Sequence, residues 1–375
     1  MRMGRMRAAG KGKARRINIA RRNRRKGYIA RRKKVFHDAN ATRSEARSYG
    51  ADWLKRLALQ GGRKEAAGKS KSERSCEHMQ QCFNSWYLAH AAGTRRGYSS
   101  ILRISTAFAH GYAAGDNLLR HYIPLPLRRT TAAVVVASNE RRTLNAVLAQ
   151  LRRLPFGEIV VVLNGCSDGS FAAMEHDPRL IKLNYPERLG HDVGRALGAA
   201  VTTKDTVLFV DGDMALPAED LGAFLVAVEQ GSDVALNDIT PFLPSFAKQD
   251  SVTYSKMFLN MSLGRTDLLA NSLTAVPHAL SRRAIDALGH ASLIIPPKAH
   301  ALALVRGLTV TAPYSVNVVK NNRIRSTNTG SANPVAGLIL GDHIEALAEV
   351  MKIYGPRLKF TRMTRSKLAK VRNGR

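Results

Sequence analysis

The stretch TVLFVDGDMALP, Thr206 to Pro217, places two aspartates directly after a run of apolar residues. Val207 to Val210 have the apolar, partly β-branched composition of a buried strand. Asp211 and Asp213 follow at its end, separated by a single glycine. Two carboxylates this close disfavour each other's ionisation unless a positive group lies near both. The stretch therefore predicts a buried strand that ends where something positive must bind.

Short apolar runs alternate with helical patterns from Pro124 onward. Strands are predicted at 131–139, 158–165, 180–185 and 206–213, and helices at 141–154, 191–203 and 214–228. Continuous apolar strands joined by helices are typical of an α/β fold, in which a mostly parallel sheet has helices on both faces.

Polar side chains follow three of these strands, at the edge of the sheet where such folds bind ligands. They are Ser138, Asn139 and Glu140 after the first strand, the loop NGCSDGS (Asn164 to Ser170) after the second, and Asp211 and Asp213 after the fourth. The loop could bind a nucleobase, but by itself it is more typical of a simple turn.

A divalent cation would allow both aspartates to be ionised. Mg²⁺ or Mn²⁺ prefers such oxygen ligands and completes its coordination with phosphate oxygens and water. The alternative is that one of the aspartates only caps the helix predicted at 214–228.

Four motifs in order resemble the family-2 glycosyltransferases of the GT-A fold. They are VVASNE (Val135 to Glu140), VVLNGCSDGS (Val161 to Ser170), GRALGAA (Gly194 to Ala200) and FVDGD (Phe209 to Asp213). The resemblance covers about Arg129 to Gly307. It implies metal-dependent transfer of a sugar from a nucleoside-diphosphate sugar to an acceptor hydroxyl, with inversion, in cell-envelope or polysaccharide synthesis.

The resemblance also implies roles for individual residues. Asp213 would bind the metal, Asp211 the metal or the ribose, and Arg195 would lie near the diphosphate unless it is an ordinary surface arginine. The implied donor-binding residues are Ala137, Asn139, Glu140, Asn164, Asp168, Arg195, Asp211 and Gly212.

The catalytic base that the family usually carries is missing. SLTAVPHALSRRAIDALG (Ser272 to Gly289) resembles the family segment of a turn, a strand and a helix start, but Pro296, Pro297 and Lys298 then stand where an acid is expected. Substitutes are predicted in GLILGDHIEALAEVM (Gly337 to Met351), at the start of a helix. There Asp342 or Glu345 would be catalytic and His343 a third metal ligand. Alternatively, the two acids only complement the helix N-terminus and His343 faces solvent.

Two further segments are assigned to the acceptor side and to a lid. NDITPFLP (Asn237 to Pro244) follows another apolar strand and would face the acceptor. The polar segment 320–334, with Arg323 and Arg325, is either a lid over the donor or an ordinary surface loop.

The formal net charge of +31 is concentrated at the two ends of the chain. Residues 1–36 contain 16 Lys or Arg and residues 355–375 contain eight, with no acidic residue in either segment. The N-terminal segment buries too little apolar surface to fold alone and is predicted to be disordered. Both basic segments would bind nucleic acid, an anionic membrane surface or another polyanion, or serve only as solubilising tails.

The predicted organisation is a basic tail (1–36), a helical accessory region (37–127), the glycosyltransferase domain (128–335) and a C-terminal helix with a basic tail (336–375). Aromatic residues of the accessory region are interpreted as core packing. Three cysteines are too few for a disulfide framework and favour a reducing, cytoplasmic location. No stretch approaches the length of a membrane span, which favours a soluble protein or one peripheral at the inner face of the membrane.

Two functions are therefore considered. The first is a glycosyltransferase that acts on a glycan, lipid-linked or small-molecule acceptor. The second is a polyanion- or nucleic-acid-binding protein with a catalytically inactive GT-A body, which the charge and the missing base would favour.

Overall fold

The computed structural model describes residues 52–93, 95–318, 334–360 and 363–374. The chain divides into two units, Met1–Leu57 and Ala58–Arg375. Only residues 52–57 of the first unit are described, and they are helical. The basic tail 1–36 and residues 320–333 of the predicted lid, with Arg323 and Arg325, lie outside the described residues. The predicted domain boundaries remain predictions.

The second unit begins with four helices. They are α1 (58–66), α2 (Cys76–His90), α3 (Tyr98–Ala113) and α4 (Asn117–His121). Aromatic side chains of α2 and α3 form their core, and the ring centroids of Phe83 and Phe108 are 5.3 Å apart. Trp86, Tyr87 and Tyr112 are also buried. The prediction that the aromatic residues here pack in a core is confirmed.

The rest of the unit is built on a seven-stranded sheet. Its strands are β1 (Thr131–Ala137), β2 (Glu158–Asn164), β3 (Leu180–Tyr185), β4 (Thr206–Asp211), β5 (Val234–Asn237), β6 (His278–Ser281) and β7 (Val310–Tyr314). The order across the sheet is β3-β2-β1-β4-β6-β5-β7, and only β6 is antiparallel to its neighbours. The predicted α/β fold with a mostly parallel sheet is confirmed.

Nine further helices follow in the described part of the chain. They are α5 (Leu144–Arg152), α6 (Ser170–Ala173), α7 (Val193–Val201), α8 (Ala218–Glu229), α9 (Ser251–Ser262), α10 (Arg282–Leu288), α11 (Pro296–Val305), α12 (Pro334–Tyr354) and α13 (Arg365–Arg372). Of these, α7 packs against β1 and β2, α8 packs against β4 to β7, and α10 packs against β6. Helix α7 lies against β1 so closely that a Cβ atom on Gly194, in the first turn of the helix, would be 2.7 Å from Val136 Cγ1. Glycine permits this approach, which holds the start of α7 beside the carboxyl end of β1.

The predicted strands 131–139, 158–165 and 206–213 are each one or two residues shorter than expected, because their polar last residues turn into loops. The prediction that Asp342, His343 and Glu345 lie at the start of a helix is wrong. Helix α12 is described from Pro334, so Asp342 lies more than two turns inside it.

Two predictions about composition can also be compared with the structure. Cys76, Cys82 and Cys166 carry free thiols. Among the residues that the structure describes, none of the helices combines the length and the hydrophobicity needed to cross a membrane.

We expect unfolding to become easier as the pH falls from about 6.5 towards 3, because buried histidines must take up protons. Burial lowers the pKa of His278 to about 3, and the positive charge of Arg195 lowers it further. The His278 ring stacks on Phe209, and its Nδ1 lies 2.9 Å from Ala275 O. A folded-state pKa below the unfolded value gives stability that is present above about pH 6.5 and is lost on acidification.

The measurement is urea unfolding of wild type and His278→Gln at pH 7, 6, 5 and 4. His278→Gln should be less stable at pH 7, since it loses the ring stack, but its loss on acidification should be smaller by up to about 1.4 kcal/mol per pH unit. Parallel pH profiles for the two proteins would contradict the assignment. Buried His300, whose pKa is also lowered to about 3, remains in both proteins.

Candidate functional site

Gly212 anchors the end of β4 to β1 and thereby sets the positions of Asp211 and Asp213. Its N–H donates to Val136 O at 2.8 Å, and its carbonyl accepts a hydrogen bond from Thr143 Oγ1 at 2.8 Å. A Cβ atom here would be 2.8 Å from Ala137 Cβ, so a side chain at position 212 would push the two strands apart. Both aspartates are therefore held at the carboxyl edge of the sheet.

Arg195 is buried beneath this edge and contacts two carboxylates. Its Nη1 lies 3.0 Å from Asp192 Oδ1, and its Nη2 lies 3.8 Å from Asp211 Oδ1. Nη1 also donates to Leu273 O at 3.3 Å. The alternative that Arg195 is an ordinary surface arginine is wrong, because the side chain is part of the charged site.

Several charged groups act on Asp211. Burial is the main factor that raises the pKa of Asp211; Arg195 opposes this rise, and the negative charges of Asp213 and Asp192 add to it. Carboxylates this close to each other favour a bound cation, since the cation would stabilise their ionised forms.

The two aspartates suit a cation that is also bound by a ligand. About 39% of the Asp211 side chain is exposed, so its carboxylate can be reached from the cleft. Within the described ranges, no group of three or more His, Cys, Asp or Glu side chains is arranged to hold a metal ion.

His343 is 1% exposed and packs inside the protein, so the alternative that it faces solvent is wrong. Its Nδ1 lies 2.7 Å from Ile339 O, and its Nε2 is buried without a hydrogen-bond partner among the described residues. Burial lowers the pKa of His343, and the positive charge of Lys256 lowers it further. Its predicted role as a metal ligand remains a prediction.

The predicted donor-binding residues of the first two loops fasten those loops to each other and to their neighbours. Asn139 has a positive φ of 60°, and its Oδ1 accepts from Ser167 N at 2.8 Å. Asn164 donates to Gly190 O at 2.7 Å and accepts from Leu189 N at 2.8 Å. These amides therefore shape the walls of the cleft.

Asp168 has a similar part in the loop after β2. It accepts from Arg141 N at 2.9 Å and from Ser170 N at 3.0 Å. Burial alone would raise the pKa of Asp168, but its hydrogen bonds with Ser170 and Arg141 hold it below the usual value. Ala137 and Glu140 are buried at the base of the same loops.

The two predicted catalytic acids of α12 have different surroundings. Lys298, which stands where the family acid is expected, donates to Glu345 Oε1 at 2.9 Å. Asp342 is half-buried, and its pKa is raised by burial and by the negative charges of Asp192 and Glu345. The surroundings of Asp342 therefore raise its pKa, while the Glu345 carboxylate is paired with Lys298.

The segment predicted to face the acceptor begins with a structural residue. Asn237 is fully buried, donates to Val316 O at 3.0 Å and accepts from Val316 N at 2.8 Å. Asp238 accepts hydrogen bonds from Asn271 and Thr240. These contacts fasten the chain after β5 to two neighbouring loops, next to the segment that contains Leu273.

Two charged residues near Arg195, Asp192 and Lys256, have no part in the predictions from the sequence. Asp192 was not named, although its spacing of three residues from Arg195 at the start of a helix is typical of an ion pair. Burial lowers the pKa of Lys256 to about 8, and the nearby charge of Arg195 also lowers it. No pattern around Lys256 distinguishes it from a surface lysine on α9.

Residues 132–279 match the family model described as Glycosyl transferase family 2, which confirms the resemblance and, together with the sheet, the predicted GT-A fold. No curated protein is a match to this chain. Among solved structures, glucosyl-3-phosphoglycerate synthase from Mycobacterium tuberculosis, in complex with Mn²⁺, UDP and phosphoglyceric acid, is 16% identical with a TM-score of 0.44. The match covers 72% of this chain and 86% of the synthase chain.

Two other solved structures are similar to the chain at the same identity. Mannosyl-3-phosphoglycerate synthase from Rubrobacter xylanophilus is 16% identical with a TM-score of 0.43, over 63% of this chain and 78% of that chain. TarS from S. aureus is 16% identical with a TM-score of 0.34, over 62% of this chain and 76% of that chain.

We expect Asp211→Asn to leave the metal-free protein as stable as wild type or to raise its melting temperature at pH 7. The pKa of Asp211 is higher in the folded state than in the unfolded state. Asp211 therefore contributes to stability at a pH below the unfolded pKa, and this contribution is lost as the pH rises. Asparagine keeps the shape without the charge. The gain should therefore be present at pH 7 and vanish near pH 4, as measured by thermal unfolding in EDTA.

Asp192→Asn is the matched comparison. It removes the closest carboxylate of buried Arg195 and should cost about 3–5 kcal/mol. A loss of stability at pH 7 in Asp211→Asn as large as that in Asp192→Asn would show that ionised Asp211 stabilises the fold, contrary to the electrostatics described here.

Proposed function

We propose that this chain, a family 2 glycosyltransferase by its match over residues 132–279, uses a divalent cation to transfer a sugar from a nucleoside-diphosphate sugar to an acceptor hydroxyl. The observation that carries the proposal is the pair Asp211 and Asp213 at the end of β4. They lie one residue apart at the edge of the sheet, where Asp211 is partly exposed, and the negative charge of Asp213 adds to the rise in the pKa of Asp211 that burial causes.

Asp213 and Asp211 would hold Mg²⁺ or Mn²⁺ together with the donor. When bound, the cation would supply positive charge that stabilises the leaving diphosphate. Arg195 fixes Asp211 from beneath, and Gly212 holds the loop against β1. The amides of Asn139 and Asn164 keep the loops of the nucleotide pocket in place, while Glu140, Ala137 and Asp168 complete its floor and wall.

Asp342 is our choice for the general base that deprotonates the acceptor. A base needs a carboxylate that is not already neutralised and whose pKa lies closer to the working pH than that of an exposed acid. Asp342 meets both conditions, because its pKa is raised, whereas Glu345 is paired with Lys298. Attack on the anomeric carbon from the side opposite the diphosphate would invert its configuration, as the resemblance implies.

The acceptor is proposed to be a glycan, a lipid-linked sugar or a small molecule of cell-envelope synthesis. The exposed helix α13, with Arg365, Lys367, Lys370 and Arg372, supports a position at an anionic membrane surface or another polyanion. Nucleic-acid binding has no supporting observation among the described residues.

The first test is a thermal-shift titration of UDP, GDP, ADP and CDP with and without Mn²⁺. One nucleotide should stabilise wild type only when the metal is present, by about 2.7 kcal/mol at a concentration of 100 times Kd. Asp213→Ala should lose this stabilisation because the cation loses a carboxylate ligand.

The control is Asp286→Ala, which removes an exposed carboxylate from α10. It should respond to the nucleotide as wild type does. Equal stabilisation of wild type and Asp213→Ala would refute the role of Asp213, and no shift with any nucleotide would refute the donor site.

The second test compares Asp342→Asn with Glu345→Gln. Asp342→Asn should lower the rate of nucleoside-diphosphate release from the donor sugar by about 10²- to 10⁴-fold, as is typical for loss of a general base, and leave nucleotide binding intact. Glu345→Gln should change the rate much less. If the larger loss falls on Glu345→Gln, the assignment of the base is reversed.

A further inference from the structure

A cavity of about 490 Å³ lies at the C-terminal end of α8. It is formed by α2, α3, the turn between them, the segment before β1 and the last turn of α8. Helix α8 starts five residues after Asp213 and is about 18 Å long, so the cavity is well separated from the aspartates. Its volume is within the range of small-molecule sites.

The inner wall of the cavity is apolar. Tyr87, Ile101 and Val226 are buried along it, and Leu88 is 56% exposed at its edge although it is a large apolar residue. An apolar surface left open in this way favours a ligand that has an aliphatic or aromatic part.

Three arginines give the opening of the cavity a positive charge. Arg128 is paired with Glu229 at 3.3 Å, the carboxylate among the lining residues. The Nε of Arg96 donates to Ala91 O at 3.3 Å, which leaves its terminal nitrogens available. Arg95 is exposed and has no hydrogen bond or ion pair with any residue in the described ranges. Two guanidinium groups therefore remain uncompensated.

The backbone that carries Arg96 is fixed in place. Gln230 Nε2, at the end of α8, donates to Arg96 O at 3.0 Å. At the other end of α8, Tyr98 of α3 donates to Glu219 O, and its ring contacts Tyr314. The cavity is thus enclosed by helices that are held together independently of a ligand, as expected of a largely preformed site.

We propose that this cavity binds a small amphiphilic anion. A phosphate or carboxylate group lies at Arg95 and Arg96, and an aliphatic or aromatic part packs against Tyr87, Ile101 and Val226. Guanidinium groups bind such oxyanions by paired hydrogen bonds. The site is separate from the sugar donor site and does not depend on a metal.

The test uses phenyl phosphate as the probe, measured by isothermal titration calorimetry on the full chain in EDTA. Phenyl phosphate should bind more tightly than inorganic phosphate, which lacks the apolar part, and than benzyl alcohol, which lacks the charge. The double variant Arg95→Ala/Arg96→Ala should lower the affinity for phenyl phosphate by about tenfold or more, since each hydrogen bond from a charged group contributes strongly to binding. Ala92→Trp fills part of the opening and should lower the affinity for phenyl phosphate and for benzyl alcohol alike.

Two variants serve as controls. Arg103→Ala removes an exposed arginine of α3 outside the cavity and should bind as wild type does. Asp213→Ala should also bind normally, which separates this site from the donor site. The proposal is overturned if millimolar phenyl phosphate does not bind, if the double arginine variant binds as tightly as wild type, or if Arg103→Ala weakens binding equally. Melting curves of all variants establish that they are folded.

Discussion

The repulsion between carboxylates at the end of a buried strand is the constraint on which the site depends. Strand β4 is covered on both faces and delivers Asp211 to the sheet edge, where Asp213 and Asp192 also lie. One buried guanidinium contacts both Asp192 and Asp211. A cation beside Asp211 would add to this compensation, and under the proposed function it would link the binding of the metal to the binding of the donor.

The fold could be predicted because its signals are local. Apolar runs separated by helical periodicity gave the four strands from β1 to β4 and the helices between them, and strand ends differed by one or two residues. The antiparallel insertion of β6 between β4 and β5 could not be predicted in this way, since it depends on pairing between segments about 40 to 70 residues apart.

The candidate site was predicted less completely, because the identity of a residue does not show what its side chain contacts. Asn139, Asn164 and Asp168 were named as ligand-binding residues, and in the structure their side chains hold loops together. Arg195 could not be distinguished from a surface residue until Asp192 and Asp211 were found beside it. For Lys298, the sequence alone shows the departure from the family pattern. Its contact with Glu345 is visible only in the structure.

The sheet order also has a consequence for how the protein assembles. Strands β3, β2, β1 and β4 are adjacent and come from one continuous run of the chain, Thr131 to Asp211. The pairs β1–β2 and β2–β3 are close in sequence, whereas β1–β4 pairs Thr131 with Thr206. This run also contains the residues that hold the end of β4, which are Val136, Thr143, Asp192 and Arg195. Because synthesis runs from the N-terminus, the groups that hold Asp211 leave the ribosome before β5, β6 and β7 do.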